Sequence, residues 1–183
     1  MLQFIMKNIF IGIPLVLVLA LASCTNSNRS NPRDLSEENE RIDQIIWDAA
    51  FQDLDGNQVT AADFEGKVVL FDFWETWCGP CLQVFPTMDS LQNEYPDDFV
   101  VVAVNLNNSD TIEDVRSFKD KNEYDFVYTL DTEKIGDKII KLGIPFKVYF
   151  DPDGYLIKTE LGSAGPESDY RKTKEIIEQN KTS

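Results

Sequence analysis

Two nearly unbroken apolar runs, Val68–Phe73 and Phe99–Leu106, frame this chain. A short run that is apolar at successive positions, bounded by polar turns, predicts a strand covered on both faces. Further strands are predicted at Asp125–Leu130, Phe146–Phe150 and Tyr155–Leu161, the last two joined through Asp153-Gly154. Alternation on either side of Asp55-Gly56-Asn57 predicts a hairpin within Phe51–Val59. Helical spacing runs over Leu82–Tyr95, Glu133–Leu142 (closed by Gly143) and Ser168–Gln179, and over Thr111–Asn122 with Ile112, Val115 and Phe118 on one face. Leu35–Trp47 fits either a short helix or part of the strand leading into the domain. Strands alternating with helices predict an α/β fold, a mixed sheet flanked by helices with an antiparallel hairpin at its end. No internal repeat is present.

Chemistry enters where the first apolar run ends. Cys78-Gly79-Pro80-Cys81 lies between that strand and the following helix, which puts Cys78 at a helix N-terminus. Unpaired N–H groups and the positive end of the helix dipole stabilise a thiolate there, and the thiolate is the nucleophile of disulfide exchange. Cys81, one turn on, can close a disulfide with Cys78 or resolve a mixed one. A Cys-x-x-Cys is also half of a zinc site, but that needs two further ligands. The chain has no histidine and only Cys24 besides, so no metal is expected. Asp72, between Phe71 and Phe73, is either a solvated edge-strand acid or a buried one whose desolvation raises its pKa and suits it to take a proton from Cys81. Pro80 suits a first helical turn whatever its redox role. Trp74 is expected in the core and Trp77, next to Cys78, on the surface as a docking platform.

The stretch Asp72-Phe73-Trp74-x-x-Trp77-Cys78-Gly79-Pro80-Cys81 resembles the active site of thioredoxins. The resemblance covers residues 45 to 180 and continues in Pro86, where thioredoxins kink the active-site helix, and in Ile144-Pro145, similar to the cis-proline dipeptide that faces the cysteines. The N-terminal hairpin followed by Phe64-Glu65-Gly66-Lys67, and a helix–strand–helix inserted before Pro145, resemble the thiol–disulfide lipoproteins of the TlpA and ResA type. The implied fold is thioredoxin-like. The implied activity is thiol–disulfide exchange by a redox-active Cys78–Cys81 pair with no other cofactor. Cys78 is the implied nucleophile and Cys81 the resolving thiol, while Pro145 sits beside the disulfide in cis and leaves the backbone of Ile144 to pair with a disulfide-bearing protein substrate. Gly79 and Pro80 are the dipeptide of reductants in this fold, where strong oxidants carry a histidine, so a reductase recharged by a membrane thiol–disulfide donor is implied. Three departures stand out. No lysine lies in Phe99–Asn107, where thioredoxins place one near the buried acid; Val84 replaces the glutamate of ResA-like proteins; and Phe146 stands where threonine is common. A copper-delivery protein of the Sco type would need a ligating histidine. A peroxiredoxin would need Thr or Ser three residues before the cysteine, where this chain has Glu75. A non-catalytic module binding through the groove at Pro145 remains the rival from another class.

The N-terminus adds an address. Lys7 followed by the apolar stretch Ile9–Ala22 reads as a signal peptide over residues 1–23, with Met6 as an alternative start. Leu21-Ala22-Ser23-Cys24 resembles a bacterial lipobox, which implies a lipid on Cys24 and attachment to a membrane in the cell envelope, facing the periplasm. Thr25 rather than Asp favours the outer membrane. The polar residues 24–44 read as a flexible tether and 45–183 as the thioredoxin-like domain. One cysteine for lipid and two for exchange leave none for a structural disulfide. The formal net charge is −15, and loss of the leader removes Lys7 and no acid. Phosphate binding needs a basic face, so nucleic acid is excluded as a partner. The scattered acids read as a solvating surface, or alternatively as a preference for basic partners.

Overall fold

In a computed structural model of the chain, residues 29–182 are described. A hairpin, Ala50–Asp53 (β1) and Gln58–Thr60 (β2), leads in; Asp53 closes its turn by accepting from the backbone N–H of Asp55 at 2.9 Å and of Asn57 at 2.7 Å. Val68–Trp74 (β3), Phe99–Asn105 (β4), Val127–Leu130 (β5), Phe146–Phe150 (β6) and Leu156–Leu161 (β7) complete a seven-stranded mixed sheet in the order β2-β1-β5-β4-β3-β6-β7. Every residue of β3 and β4 is buried, which is why these two strands read as continuous apolar runs. β3 pairs in parallel with β4 and antiparallel with β6.

Side chains alternate across the sheet and sort into two cores. On one face, Leu70 and Trp74 pack with Phe85 and Met88 of Gly79–Glu94 (α2), Val115 of Ile112–Asn122 (α3) and Ile177 of Pro166–Asn180 (α5). On the other, Phe71 and Phe73 pack with Ile42 and Ile46 of Glu37–Trp47 (α1) and with Ile135 and Ile139 of Ile135–Ile139 (α4). The mixed α/β architecture is the one expected.

Of the stretch Leu35–Trp47, Glu37–Trp47 forms the helix α1, capped by the Ser36 hydroxyl accepting from the Asn39 N–H at 3.3 Å. That helix, and the residues before it, correct the tether boundary at residue 44. Arg29 donates to Asp43 and to the Gly154 carbonyl, with its guanidinium 4.1 Å from the Trp47 ring centroid and 4.4 Å from that of Tyr155. Asn31 donates to the Leu156 carbonyl at 2.9 Å, and Arg33 pairs with Asp151 at 2.6 Å. These polar residues are docked on the turn before β7 by planar stacking and ion pairs, which a composition-based reading counts as solvation. The folded unit therefore begins at or before Arg29.

The helix expected over Glu133–Leu142 is shorter, five residues long. Lys134 takes a left-handed backbone before it (φ 56°) and Ile140 is extended after it, so the chain leaves the helix early. Asp131 caps its start, accepting from the N–H of Ile135 at 2.8 Å and of Gly136 at 2.6 Å.

Candidate active site

Cys78 is the N-cap of α2, with Gly79 and Pro80 as the first two helical residues. Its sulfur accepts the backbone N–H of Cys81 at 3.3 Å, so one of the helix's unpaired donors already points at the nucleophile's position. Cys78 and Cys81 are joined as a disulfide with Cα atoms 5.3 Å apart. Cys78 keeps 2% of its surface in solvent and Cys81 none. Of the two sulfur-bearing residues, only Cys78 reaches solvent. Pro86 within α2 has no N–H to return to the preceding turn, and its own carbonyl accepts the Ser90 hydroxyl at 2.8 Å.

Asp72 sits in β3 between Leu70 and Trp74 on the face that carries the two cysteines. It is fully buried, and neither carboxylate oxygen has a hydrogen-bond partner among the described residues. Burial pushes its carboxyl up to about 7, with Lys147 pulling it down and Asp169 pushing it further up. The edge-strand alternative is thereby removed. Ile144-Pro145 is a cis peptide immediately before β6, whose first residue, Phe146, is paired with Phe73. This register sets the proline level with the end of the strand that delivers the cysteines. Pro145's carbonyl accepts the Gly162 N–H at 2.7 Å, whereas no partner is found among the described residues for the N–H or carbonyl of Ile144. Trp74 is fully buried against Phe85 and Phe118, while Trp77 is 65% exposed. Cys24 and the leader lie outside the described residues.

A profile of the Redoxin family matches residues 40–176. The chain belongs to the Redoxin family. It is 31% identical over 81% of its length to the thioredoxin-like protein YneN of Bacillus subtilis, covering 88% of that protein. It is 30% identical over 83% of its length to the thiol-disulfide oxidoreductase ResA of Oceanobacillus iheyensis, covering 79% of that protein. Among solved structures, StoA from Bacillus subtilis superposes with a TM-score of 0.55 at 25% identity, over 68% of this chain and 95% of that one. The thioredoxin domain of a thiol-disulfide oxidoreductase from Bacteroides vulgatus superposes with a TM-score of 0.60 at 25% identity, over 70% of this chain and 92% of that one. Within the Redoxin family the chain is of the TlpA/ResA type, a thiol–disulfide oxidoreductase with a redox-active Cys78–Cys81 pair.

Three features of this redoxin site escaped the sequence reading. The cation near Asp72 comes from β6 rather than β4: Lys147 is the cross-strand partner of Asp72 and is fully buried. Its ammonium donates to Asp169 of α5 at 2.9 Å and to the Gly162 carbonyl at 3.1 Å. Burial opposes ionisation of Asp169, but hydrogen bonds from Lys147 and its surroundings outweigh it and hold the carboxyl below its ordinary value. A lysine inside the apolar run Phe146–Phe150 was the available signal. The other two are Glu75 and Asp110, both buried, which join the loop before Cys78 to the loop after β4. Asp110 accepts from the Thr76 N–H at 2.7 Å, the Thr76 hydroxyl at 2.6 Å and the Asn105 amide at 2.6 Å. Among the described residues no group of three or more His, Cys, Asp or Glu is placed to hold a metal ion.

Proposed function

We propose that this redoxin reduces disulfides of polypeptide substrates in the cell envelope, facing the periplasm and held to a membrane, the outer one favoured, by a lipid on Cys24. The observation that carries the exchange chemistry is the position of Cys78 at the start of α2, its sulfur facing a backbone N–H donor. In the reduced protein the Cys78 thiolate attacks one sulfur of the substrate disulfide and expels the other as a thiolate, which takes up a proton. Cys81 then gives its proton to ionised Asp72, and its sulfur attacks Cys78. The second substrate thiol leaves, and Cys78–Cys81 is closed. Two electrons have passed to the substrate, so a membrane thiol–disulfide carrier must return them. Asp72 suits the proton transfer because a group near 7 is divided between its two forms at neutral pH.

A polypeptide substrate is supported by where apolar surface is left open. Among the described residues the exposed large hydrophobics are Trp77, Leu142 and Leu161. Trp77 precedes Cys78, Leu142 lies three residues before Pro145, and Leu161 is paired with Phe146. Apolar surface so placed marks an interaction site. The backbone of Ile144, without a partner among the described residues, offers an extended chain two main-chain hydrogen bonds beside the disulfide.

The direction of electron flow rests on Gly79-Pro80 and the lack of any histidine to stabilise the Cys78 thiolate further. It is tested by the reduction potential of the pair against thiol buffers. A value near about −270 mV supports a reductase, and one near about −120 mV makes the protein an oxidant. The envelope address is tested separately, by metabolic labelling with a fatty acid analogue that Cys24→Ser should abolish.

A further inference from the structure

Glu75 is the least expected residue of the loop before Cys78. It is 2% exposed, yet four donors converge on its carboxylate: the N–H of Asn108 at 2.9 Å, the N–H of Ser109 at 3.1 Å, the Ser109 hydroxyl at 2.8 Å and the indole N–H of Trp77. Burial opposes its ionisation, but these hydrogen bonds outweigh that and hold it below the ordinary glutamate range. The Trp77 indole N–H is also 2.9 Å from the Ser109 hydroxyl. The one polar atom of the indole is thus held by Glu75 and Ser109, while Trp77 stays 65% exposed one residue from Cys78. An aromatic residue so fixed loses little freedom when a partner docks.

The electrostatics select the partner. The face of an indole is electron-rich and attracts cations, and a carboxylate hydrogen-bonded to its N–H adds negative potential at the ring. A second buried carboxylate, Asp110, lies in the same pair of loops. The nearby cation, Lys134, has its ammonium directed at the carbonyls of Leu106 and Asn107 and at the Asn108 side chain. The chain as a whole carries a formal −15. We propose that Glu75 is a positioning residue that fixes Trp77 as a platform for a lysine or arginine side chain next to the half-cystine of the substrate polypeptide. The proposal rests on the thiol–disulfide reading and adds to it a specificity.

The test uses the full-length protein turning over with an excess dithiol reductant, the uncatalysed rate subtracted, and short disulfide-linked peptides that differ only in the residue before the cysteine: arginine, norleucine or glutamate. Hydroxyethyl disulfide serves as the small reference substrate. A cation over an exposed ring corresponds to about a two- to fivefold higher kcat/KM for arginine over norleucine, with glutamate below both. The preference should appear in KM rather than in kcat. The arginine-to-norleucine ratio should fall to about one in Trp77→Ala and drop in Glu75→Gln, which keeps the shape and one acceptor but loses the charge. Because the readout is a ratio within one variant, partial misfolding does not imitate the result. A wild-type ratio near one, or a ratio that survives either substitution, overturns the proposal while exchange with hydroxyethyl disulfide leaves the oxidoreductase standing. Failure of the wild-type protein on hydroxyethyl disulfide strikes the oxidoreductase reading itself, and the proposal with it.

Discussion

Asparagine at position 72 should stabilise the fold by an amount that grows with pH. Asp72 is fully buried, its two oxygens have no hydrogen-bond donor among the described residues, and its carboxyl is pushed up to about 7. In the unfolded chain the same group ionises near about 3.9. The difference, about 3 units at 1.36 kcal/mol each, makes ionising Asp72 inside the protein cost about 4 kcal/mol. The sign follows from proton counts. Below about pH 4 both states hold the proton and the carboxyl costs the fold nothing through ionisation. From about pH 4 to about pH 7 the unfolded chain releases its proton first, and stability falls as pH rises. Above about pH 7 the folded state bears the full cost. Asp72→Asn copies the protonated acid, so it should be near neutral at about pH 4 and stabilise by up to about 4 kcal/mol at about pH 8. Urea unfolding of the oxidised protein across that range reads the difference as a midpoint that moves by about 1 M or more at the alkaline end. A difference that does not change with pH, or an asparagine variant less stable at about pH 8, would refute the assignment of Asp72 as the strained acid. The same substitution should slow resolution of the mixed disulfide, the step in which Asp72 is proposed to take the Cys81 proton.

Lys147→Met should cost about 3–5 kcal/mol in urea unfolding, because it leaves Asp169 as a buried charge without its partner. The double variant Lys147→Met/Asp169→Leu should recover most of that loss, and a double variant as unstable as the single one would deny the pair. With the cation gone, the pH profile of disulfide exchange should also move upward, since Lys147 holds Asp72 lower than burial alone would. Arg29→Ala removes the stacking on Trp47 and Tyr155 and the Asp43 contact; a loss of about 1–2 kcal/mol and faster proteolysis ahead of α1 are expected. Unchanged stability there would return residues 29–35 to the status of a tether.

What the sequence disclosed was whatever repeats along one strand or helix. Val68–Phe73 and Phe99–Leu106 are apolar on both faces except at Asp72 and Asn105 because helices cover both sides of β3 and β4, and burial of that kind is written in composition. The Asp55-Gly56-Asn57 turn is local chemistry, complete within a few residues. The Cys78–Cys81 pair was legible for the same reason, its disulfide spanning one helical turn.

The features that stayed hidden depend on which distant strand or loop lies alongside. Asp72 raised the question of a compensating cation, and β4 was the wrong neighbour to search. β3 has two partners, and the antiparallel one supplies Lys147 directly opposite. That lysine donates to Asp169, contributed from α5, so it makes no hydrogen bond to Asp72 and only partly offsets the burial that raises the Asp72 pKa. The bond between Glu75 and the loop after β4 is of the same kind: the acid is visible in sequence, but its burial and its hold on Trp77 exist only once parallel β3 and β4 bring their C-terminal ends together. A charged residue within or just beyond an apolar strand is therefore best read across the sheet. Its role is set by the side chains at the same level on both neighbouring strands, and at this site those side chains decide the proton affinity beneath the disulfide and the surface beside it.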